Sequence, residues 1–291
     1  MTASGTRAQR RAVLPCRPPR LRATVGSVSA LPPVLEPYVA SLVVYDVTGD
    51  PGTHIGLPST SLTFVLSADE PLDVGWQGNE GTRGEFWANV AGLHVGPAEI
   101  RHRGRQRGVY LDLTVAGARA LFGVPAAGLA GALVEAAEVD PVLRDLPDRL
   151  AGSAPDRWAV LVERALVDAL ARHDAPGPRA EVGRALARLT RGARVAEVAD
   201  EVGFSRRHLG ELVQAEAGVT PKEWQRLARF ERSQALVRKG VPLATVAARC
   251  GYADQSHLTR EWVALAGCSP TEWKRRELPS VQDQEAADPP G

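Results

Sequence analysis

Val195-Ala-Glu-Val-Ala-Asp-Glu-Val-Gly-Phe204 returns 48 residues later as Leu243-Ala-Thr-Val-Ala-Ala-Arg-Cys-Gly-Tyr252. After one inserted residue, His208-Leu209 falls on His257-Leu258. In the same register Ala215, Ala217, Gly218, Pro221, Glu223, Trp224 and Arg226 fall on Ala264, Ala266, Gly267, Pro270, Glu272, Trp273 and Arg275. Gly, His-Leu, Gly, Pro and Glu-Trp in one register make this a single supersecondary unit used twice.

Each unit has the anatomy of a helix-turn-helix. A short apolar helix (Val195, Val198, Ala199, Val202; Leu243, Val246, Ala247, Cys250) runs into Gly203 or Gly251, the residue able to turn sharply through the left-handed conformation. A second helix follows, with Ser205 and Asp254 standing where N-caps belong; such a helix start also suits a backbone phosphate. In the first unit Leu209, Leu212, Val213 and Ala217 share one face, which leaves Arg206, Arg207, Gly210, Glu211 and Gln214 outward. In the second, Leu258, Trp262 and Leu265 turn inward and leave Gln255, Ser256, Thr259, Arg260 and Val263 outward. His208 and His257 adjoin the apolar rows and are assigned to packing.

The outward residue types match base edges: Arg can bind guanine through two hydrogen bonds, Gln adenine, Glu can accept from cytosine, and Ser or Thr adapts to either. Each side chain taken singly is explained as well by a solvated face or a phosphate contact. Two such faces on a duplicated unit point to DNA. Residues 222–239 contain no Gly or Pro and predict one helix of about 27 Å, a spacer able to hold two recognition helices in successive major-groove segments roughly 34 Å apart.

Charge supports the division. The 291 residues carry a net +1, with 32 Arg and only 3 Lys. Residues 179–276 hold 18 basic and 11 acidic side chains, a net +7, and residues 1–22 hold six Arg and no acid. Residues 23–178 are net −8 and residues 277–291 net −4. A basic block behind an acidic middle is what a nucleic-acid-binding module joined to another domain would show. The Arg, Gly and Pro bias itself reads as the coding bias of a GC-rich bacterial genome.

Upstream, residues 34–115 alternate β-rich runs (41–47, 62–66, 86–90, 108–115) with turns at 49–52, 78–81 and 102–104, which suggests a small barrel or sandwich. Residues 116–122, 126–139 and 156–173 read as helices. The last carries Trp158, Leu161, Val162, Ala165, Leu166, Ala169 and Leu170 on one face, an apolar stripe suited to core or to a second copy. Ala175-Pro-Gly-Pro178 marks the domain boundary. No secretory signal or membrane span fits: the uncharged stretch 120–134 is broken by Gly123, Pro125, Gly128 and Gly131.

Residues 179–276 resemble the DNA-binding domain of the AraC/XylS family of bacterial transcription regulators. The stretches that carry the resemblance are 195–221 and Gly251-Tyr-Ala-Asp-Gln-Ser-His-Leu-Thr-Arg260 with Gly267-Cys-Ser-Pro270. The family signature differs in having an aromatic where Leu258 stands, Phe where Trp262 stands and a basic residue at Val263; the last difference removes a phosphate contact from the second unit. Residues 92–114 and 117–126 resemble the N-terminal half of one subgroup. The resemblance implies seven C-terminal helices with two helix-turn-helix units joined by a long helix, preceded by a cupin-type β-barrel for effector sensing or dimerisation.

The expected fold class is therefore α+β, with a small β-barrel or cupin-like N-terminal domain bearing helices and an all-α C-terminal domain. The expected division is a basic disordered arm (1–30), a sensory or dimerisation domain (31–174; β-rich 34–115, helical 116–174), a linker (175–178), the double helix-turn-helix domain (179–276) and an acidic disordered tail (277–291). The DNA-binding candidates are Ser205, Arg206, Arg207, Gly210, Glu211, Gln214, Asp254, Gln255, Ser256, Thr259 and Arg260. Expected partners are double-stranded promoter or operator DNA, a small-molecule effector, a second copy and, for an activator, RNA polymerase. No cofactor, catalytic residue or membrane enters this reading, and the expected location is the cytoplasm.

The competing reading is a cupin-like metal-binding enzyme or metal sensor fused to a DNA-binding module. Its ligands would come from His54, His94, His102 and acids such as Glu99, which lack a recognisable metal spacing. A DNA-repair methyl acceptor would need a reactive cysteine, and Cys16, Cys250 and Cys268 lack an activating setting. Trp76, Phe86, Trp87 and Tyr110 could line an effector pocket or simply pack.

Overall fold

The computed structural model describes residues 31–173, 177 and 179–276, together with the backbone of 22–28. Among the described residues the N-terminal domain holds ten strands: β1 (Arg22–Val28), β2 (Val39–Thr48), β3 (Gly52–Gly56), β4 (Leu62–Ser67), β5 (Leu72–Trp76), β6 (Gly84–Phe86), β7 (Ala88–Ala91), β8 (Ala98–His102), β9 (Arg105–Leu113) and β10 (Leu133–Glu135). They form two antiparallel sheets, β1-β2-β9-β4-β7-β10 and β3-β8-β5-β6. The expected barrel is thus a pair of open sheets, and no closed barrel forms among the described residues.

Period-two alternation lets β9, β2 and β4 serve two cores at once. Val109, Leu111, Leu42, Phe64 and Leu66 face the helices, whereas Tyr110, Tyr45, Val47 and Val65 meet Leu72, Val74 and Ala98 of the smaller sheet. The helical side consists of α1 (Val115–Phe122), α2 (Ala136–Val139), α3 (Leu146–Ala151) and α4 (Trp158–Arg172). On α4, Trp158, Val162, Ala165, Leu166 and Ala169 are all buried in the sheet's core. That apolar stripe is therefore spent within the chain.

Two expectations for this half are corrected. The stretch read as a disordered arm contains β1, which pairs with β2 from Arg22 opposite Thr48 to Val28 opposite Val43. A short β-branched run at the edge of a sheet gains backbone partners that no local apolar pattern announces. The Ala-rich segment 126–139 is not one helix: after a 3-10 turn, Ala126–Leu129, Gly131 takes a positive φ of 69° and β10 adds to the edge of β7. Residues 1–21, 29–30, 174–176, 178 and 277–291, including most of the linker, the rest of the arm, the tail and Cys16, lie outside the described residues.

The C-terminal domain has seven helices: α5 (Ala180–Thr190), α6 (Val195–Glu201), α7 (Arg206–Ala217), α8 (Pro221–Arg238), α9 (Leu243–Cys250), α10 (Gln255–Ala266) and α11 (Pro270–Arg276). Helix α8 starts with Pro at its first position and a reciprocal cap between Thr220 and Glu223. It runs for 18 residues, about 27 Å. Its first part lies in one core, where Trp224 joins Leu186, Leu189, Leu209 and Val213. From Leu227 onward it lies in another, with Phe230, Val237, Val246, Leu258, Trp262 and Trp273. The indole N–H of Trp224 donates to Thr190 Oγ1 at 2.9 Å and that of Trp262 to Ser233 Oγ at 3.0 Å, so neither polar edge is buried unpaired.

The first of these cores is continuous with the N-terminal one, running from the β2-β9-β4 sheet through α1 to α7 and Trp224. Three further contacts join the domains. Arg119 of α1 pairs with the buried Glu216 of α7 at 2.8 Å, Leu57 enters the second C-terminal core, and the Glu231 carboxylate accepts from the Oγ1 and backbone N–H of Thr60 at 2.7 and 3.1 Å. At Gly218, which caps α7 with a φ of 76°, a Cβ would stand 2.3 Å from the Cβ of Ala130. Gly203 has the same φ but open space around it.

These two glycines separate local strain from domain contact. Gly203→Ala should cost about 1 kcal/mol, for the left-handed backbone alone, and Gly218→Ala roughly 2–4 kcal/mol, because the overpacked interface adds to it. Urea unfolding of both variants checks this, and equal losses would contradict it.

Burial pushes the Glu231 carboxyl up to about 7, the hydrogen bonds from Thr60 opposing the shift, Asp112 adding to it and Arg232 opposing it. The folded state then holds a proton that the unfolded state releases, so this group lowers stability as pH rises from its unfolded value toward 7. Glu231→Gln should remove that decline and be roughly 1–3 kcal/mol more stable than the parent at about pH 8, with little difference near pH 4. Melting temperatures across that range give the answer.

Candidate nucleic-acid interface

Both helix-turn-helix units are built by the same local rules. Gly203 (φ 76°) and Gly251 (φ 78°) make the turns. Ser205 Oγ then accepts from His208 N–H at 3.2 Å, and Asp254 Oδ1 from His257 N–H at 2.6 Å, each capping its recognition helix. Leu209, Val213 and Ala217 in α7, and Leu258, Trp262 and Leu265 in α10, are fully buried. Each histidine meets an aromatic ring, His208 edge-on to Phe204 at 4.9 Å and His257 to Tyr252 at 5.4 Å, although His208 is otherwise exposed.

The outward faces present Ser205, Arg206, Arg207, Glu211 and Gln214 on the first unit and Asp254, Gln255, Ser256 and Arg260 on the second, all exposed; Gly210 and Thr259 are half-buried. Several of these side chains are already engaged. Arg207 pairs with Glu211 one turn on, at 2.9 Å, a surface pair worth a few tenths of a kcal/mol that a guanine could displace. Gln214 donates to the carbonyl of Gly218 at 2.8 Å and so closes the helix end, while Thr259 Oγ1 donates to the carbonyl of Gln255. These two are therefore less available to bases than Arg206, Arg207, Gln255, Ser256 and Arg260. Val263, where the family signature is basic, is exposed.

What holds the recognition helices in place was hidden from the sequence. Glu261, on the inner flank of α10, accepts from Arg229 of α8 at 2.8 Å, with Arg226 at 3.7 Å and His257 at 3.5 Å. The Arg229 guanidinium also covers the Tyr252 ring at 4.8 Å. In the first unit Arg188 of α5 grips Glu201 of α6 at 2.6 Å. Ion pairs between elements leave no periodic mark in a sequence.

The metal and cysteine readings find different geometry. His54 and His102 face each other with ring centroids 5.5 Å apart, but the Glu99 carboxylate is taken by Arg83 at 3.0 Å and His94 stacks on Trp76. Among the described residues no three His, Cys, Asp or Glu side chains converge on a point suited to a metal ion. Cys250 and Cys268 are buried, and burial pushes the Cys250 thiol above its ordinary range, opposite to what a nucleophile needs. Of the aromatic residues, Tyr110 and Phe86 pack between the sheets, Trp87 is exposed and Trp76 borders a cleft.

Residues 198–276 match the family model for a helix-turn-helix domain. Over 143 residues, 46% of this chain, the sequence is 32% identical to the HTH-type transcriptional regulator Rv1931c of Mycobacterium tuberculosis; the match spans 53% of that protein, about half its length. An apo variant of ToxT from Vibrio cholerae superposes with a TM-score of 0.50 at 13% identity, covering 81% of this chain and 97% of that one, which shows a shared fold across both domains. ToxT with an unsaturated fatty acid bound gives 0.48 at 12% identity, covering 82% and 96%.

Replacing one exposed arginine on each recognition helix tests whether the faces read bases. Arg207→Ala or Arg260→Ala should each cost about 1–3 kcal/mol on a specific site while changing affinity for random DNA far less. Equal losses on both DNAs in a binding titration would reduce the residue to a phosphate contact. The duplicated helix-turn-helix, the helix that joins the two copies and the match of residues 198–276 show a helix-turn-helix domain, and over about half its length the chain is similar to a transcriptional regulator.

Proposed function

We propose that the chain is a sequence-specific DNA-binding regulator of transcription that reads two adjacent major-groove segments with α7 and α10. The observation that carries this reading is the repetition of one unit, caps, turn, buried row and polar outer face alike, at the two ends of a single unbroken helix. One chain then engages two half-sites without needing a second copy. The base-reading residues are Arg206, Arg207, Gln255, Ser256 and Arg260, with Glu211 and Thr259 adjusting to the sequence bound. Ser205 and Asp254 start the two recognition helices, whose N-terminal N–H groups face the phosphate backbone. Gly210 keeps the face of α7 low enough for close approach, and Gln214 sits at the rim.

The N-terminal domain acts as the regulatory half, sensing an effector or bringing two copies together. Its influence passes by direct contact, because the Arg119–Glu216 pair, the Thr60–Glu231 hydrogen bonds and the Gly218–Ala130 approach all fall on helices that carry or join the recognition helices. Promoter DNA is the principal partner, with RNA polymerase a partner if the protein activates, and the cytoplasm is the site of action. No helix among the described residues is long and apolar enough to cross a membrane.

Footprinting on the DNA flanking its own reading frame provides the test. A discrete protected site of about two helical turns should appear and should weaken steeply as salt is raised, since phosphate contacts release counterions. Uniform, sequence-independent coverage at moderate salt would contradict the proposal.

A further inference from the structure

Each recognition helix ends at a glycine in the left-handed conformation, Gly218 with a φ of 76° and Gly267 with a φ of 69°, at equivalent positions of the repeat. The N-terminal domain touches both. A Cβ at Gly218 would run into Ala127 and Ala130, and one at Gly267 into the side-chain amide of Gln77. The two contacts come from different sheets. Ala127 and Ala130 lie in the turn that leads to β10 at the edge of the larger sheet, beside α1, whose Arg119 pairs with Glu216 of α7 at 2.8 Å. Gly56 at the end of β3 and Trp76 at the end of β5 are both paired with Ala98 of β8, so Leu57 and Gln77 leave the smaller sheet at the same end. Leu57 is buried in the second C-terminal core with Phe230, Leu258 and Trp262, Ile55 packs against that core, and Thr60 holds Glu231 of α8.

The attachment is made from behind. Recognition helices read bases near their N-terminal ends, and with both domains in place Arg206, Arg207, Gln255, Ser256 and Arg260 stay exposed. A helix held along one axis can still turn about it, and α8 alone gives α10 such an axis. A second attachment away from that axis removes the freedom before DNA arrives, so that less is lost on binding. We propose that the N-terminal domain braces the two readers, the larger sheet holding α7 and the smaller sheet holding α10, and that Leu57 and Gln77 are positioning residues that set how strictly the two half-sites must be spaced. The inference rests on the DNA-reading function proposed above and adds specificity-determining residues away from the reading faces.

The test is a binding titration of the full chain on two duplexes that carry the half-site pair recovered by selection, one at the recovered spacing and one with a single base pair inserted between the half-sites. The insertion moves one half-site by about 3.4 Å and turns it by roughly 35°. The parent should lose about thirtyfold or more in affinity on the inserted duplex, and Leu57→Ala combined with Gln77→Ala about fivefold or less, because the released α10 follows its half-site. Misfolding lowers the active fraction on both duplexes alike and leaves this ratio unmoved. Leu57→Met, which keeps the apolar volume, should keep the parental ratio, as should Val162→Ala, which opens the core between α4 and the sheet. Should the double variant fail to fold, Gln77→Ala alone decides, since that side chain is exposed; its loss on insertion should be smaller than the parent's by about threefold or more. An unchanged ratio in the released variants, an equal relaxation in Leu57→Met or Val162→Ala, or a parent indifferent to the insertion would each overturn the brace. Random DNA keeps the two readings apart. A parent that binds its site no better than random DNA overturns the DNA-reading function itself, whereas a parent that prefers its site while the released variants keep the parental ratio overturns the brace alone.

Discussion

Helix α8 has its two ends buried in different cores, and the rest of the molecule depends on that. Trp224 anchors it beside α5 and α7, and Phe230 and Val237 anchor it beside α9, α10 and α11. A helix without Gly or Pro in its interior resists bending, so the distance and rotation between the two recognition helices are set by covalent geometry and not by a linker. The Arg229–Glu261 pair and the Trp262–Ser233 hydrogen bond then fix α10 against that spine. The free energy of these contacts is spent on position: a recognition helix misplaced by a few ångströms would miss the base edges whatever side chains it carried.

The same spine ties the reader to the N-terminal domain. The first helix-turn-helix shares a continuous apolar core with the sheets, whereas the second has a core of its own with Leu57 inserted. The two readers are thus unequally exposed to events upstream. A change at α1 or at the turn around Ala130 meets α7 first.

Much of the C-terminal domain was legible because its signals are local. Glycines at 203 and 251, caps at 205 and 254, buried rows at helical spacing and an uninterrupted run at 222–239 each reflect backbone physics that a sequence displays directly. The N-terminal domain was legible in kind, and β2, β4 and β9 were found, but the run 86–90 straddles β6 and β7 of two different sheets, and β3, β5 and β8 were missed because they are short and carry polar or glycine residues on their half-buried side. β10 was hidden inside an Ala-rich run with helical propensity, where pairing with β7 outweighed local preference. Most of the candidate DNA-contacting residues lie exposed on α7 and α10, yet the Arg229–Glu261 and Arg119–Glu216 pairs that position those helices join segments distant in sequence, which no spacing encodes.

The central claim is that a single rigid helix fixes two readers on one face of the duplex. Selection of bound sequences from random DNA by the full chain measures this most directly. The account predicts two distinct half-sites, one per recognition helix, about one helical turn apart and at constant spacing. Recovery of a single half-site, or of two half-sites at variable spacing, would contradict it.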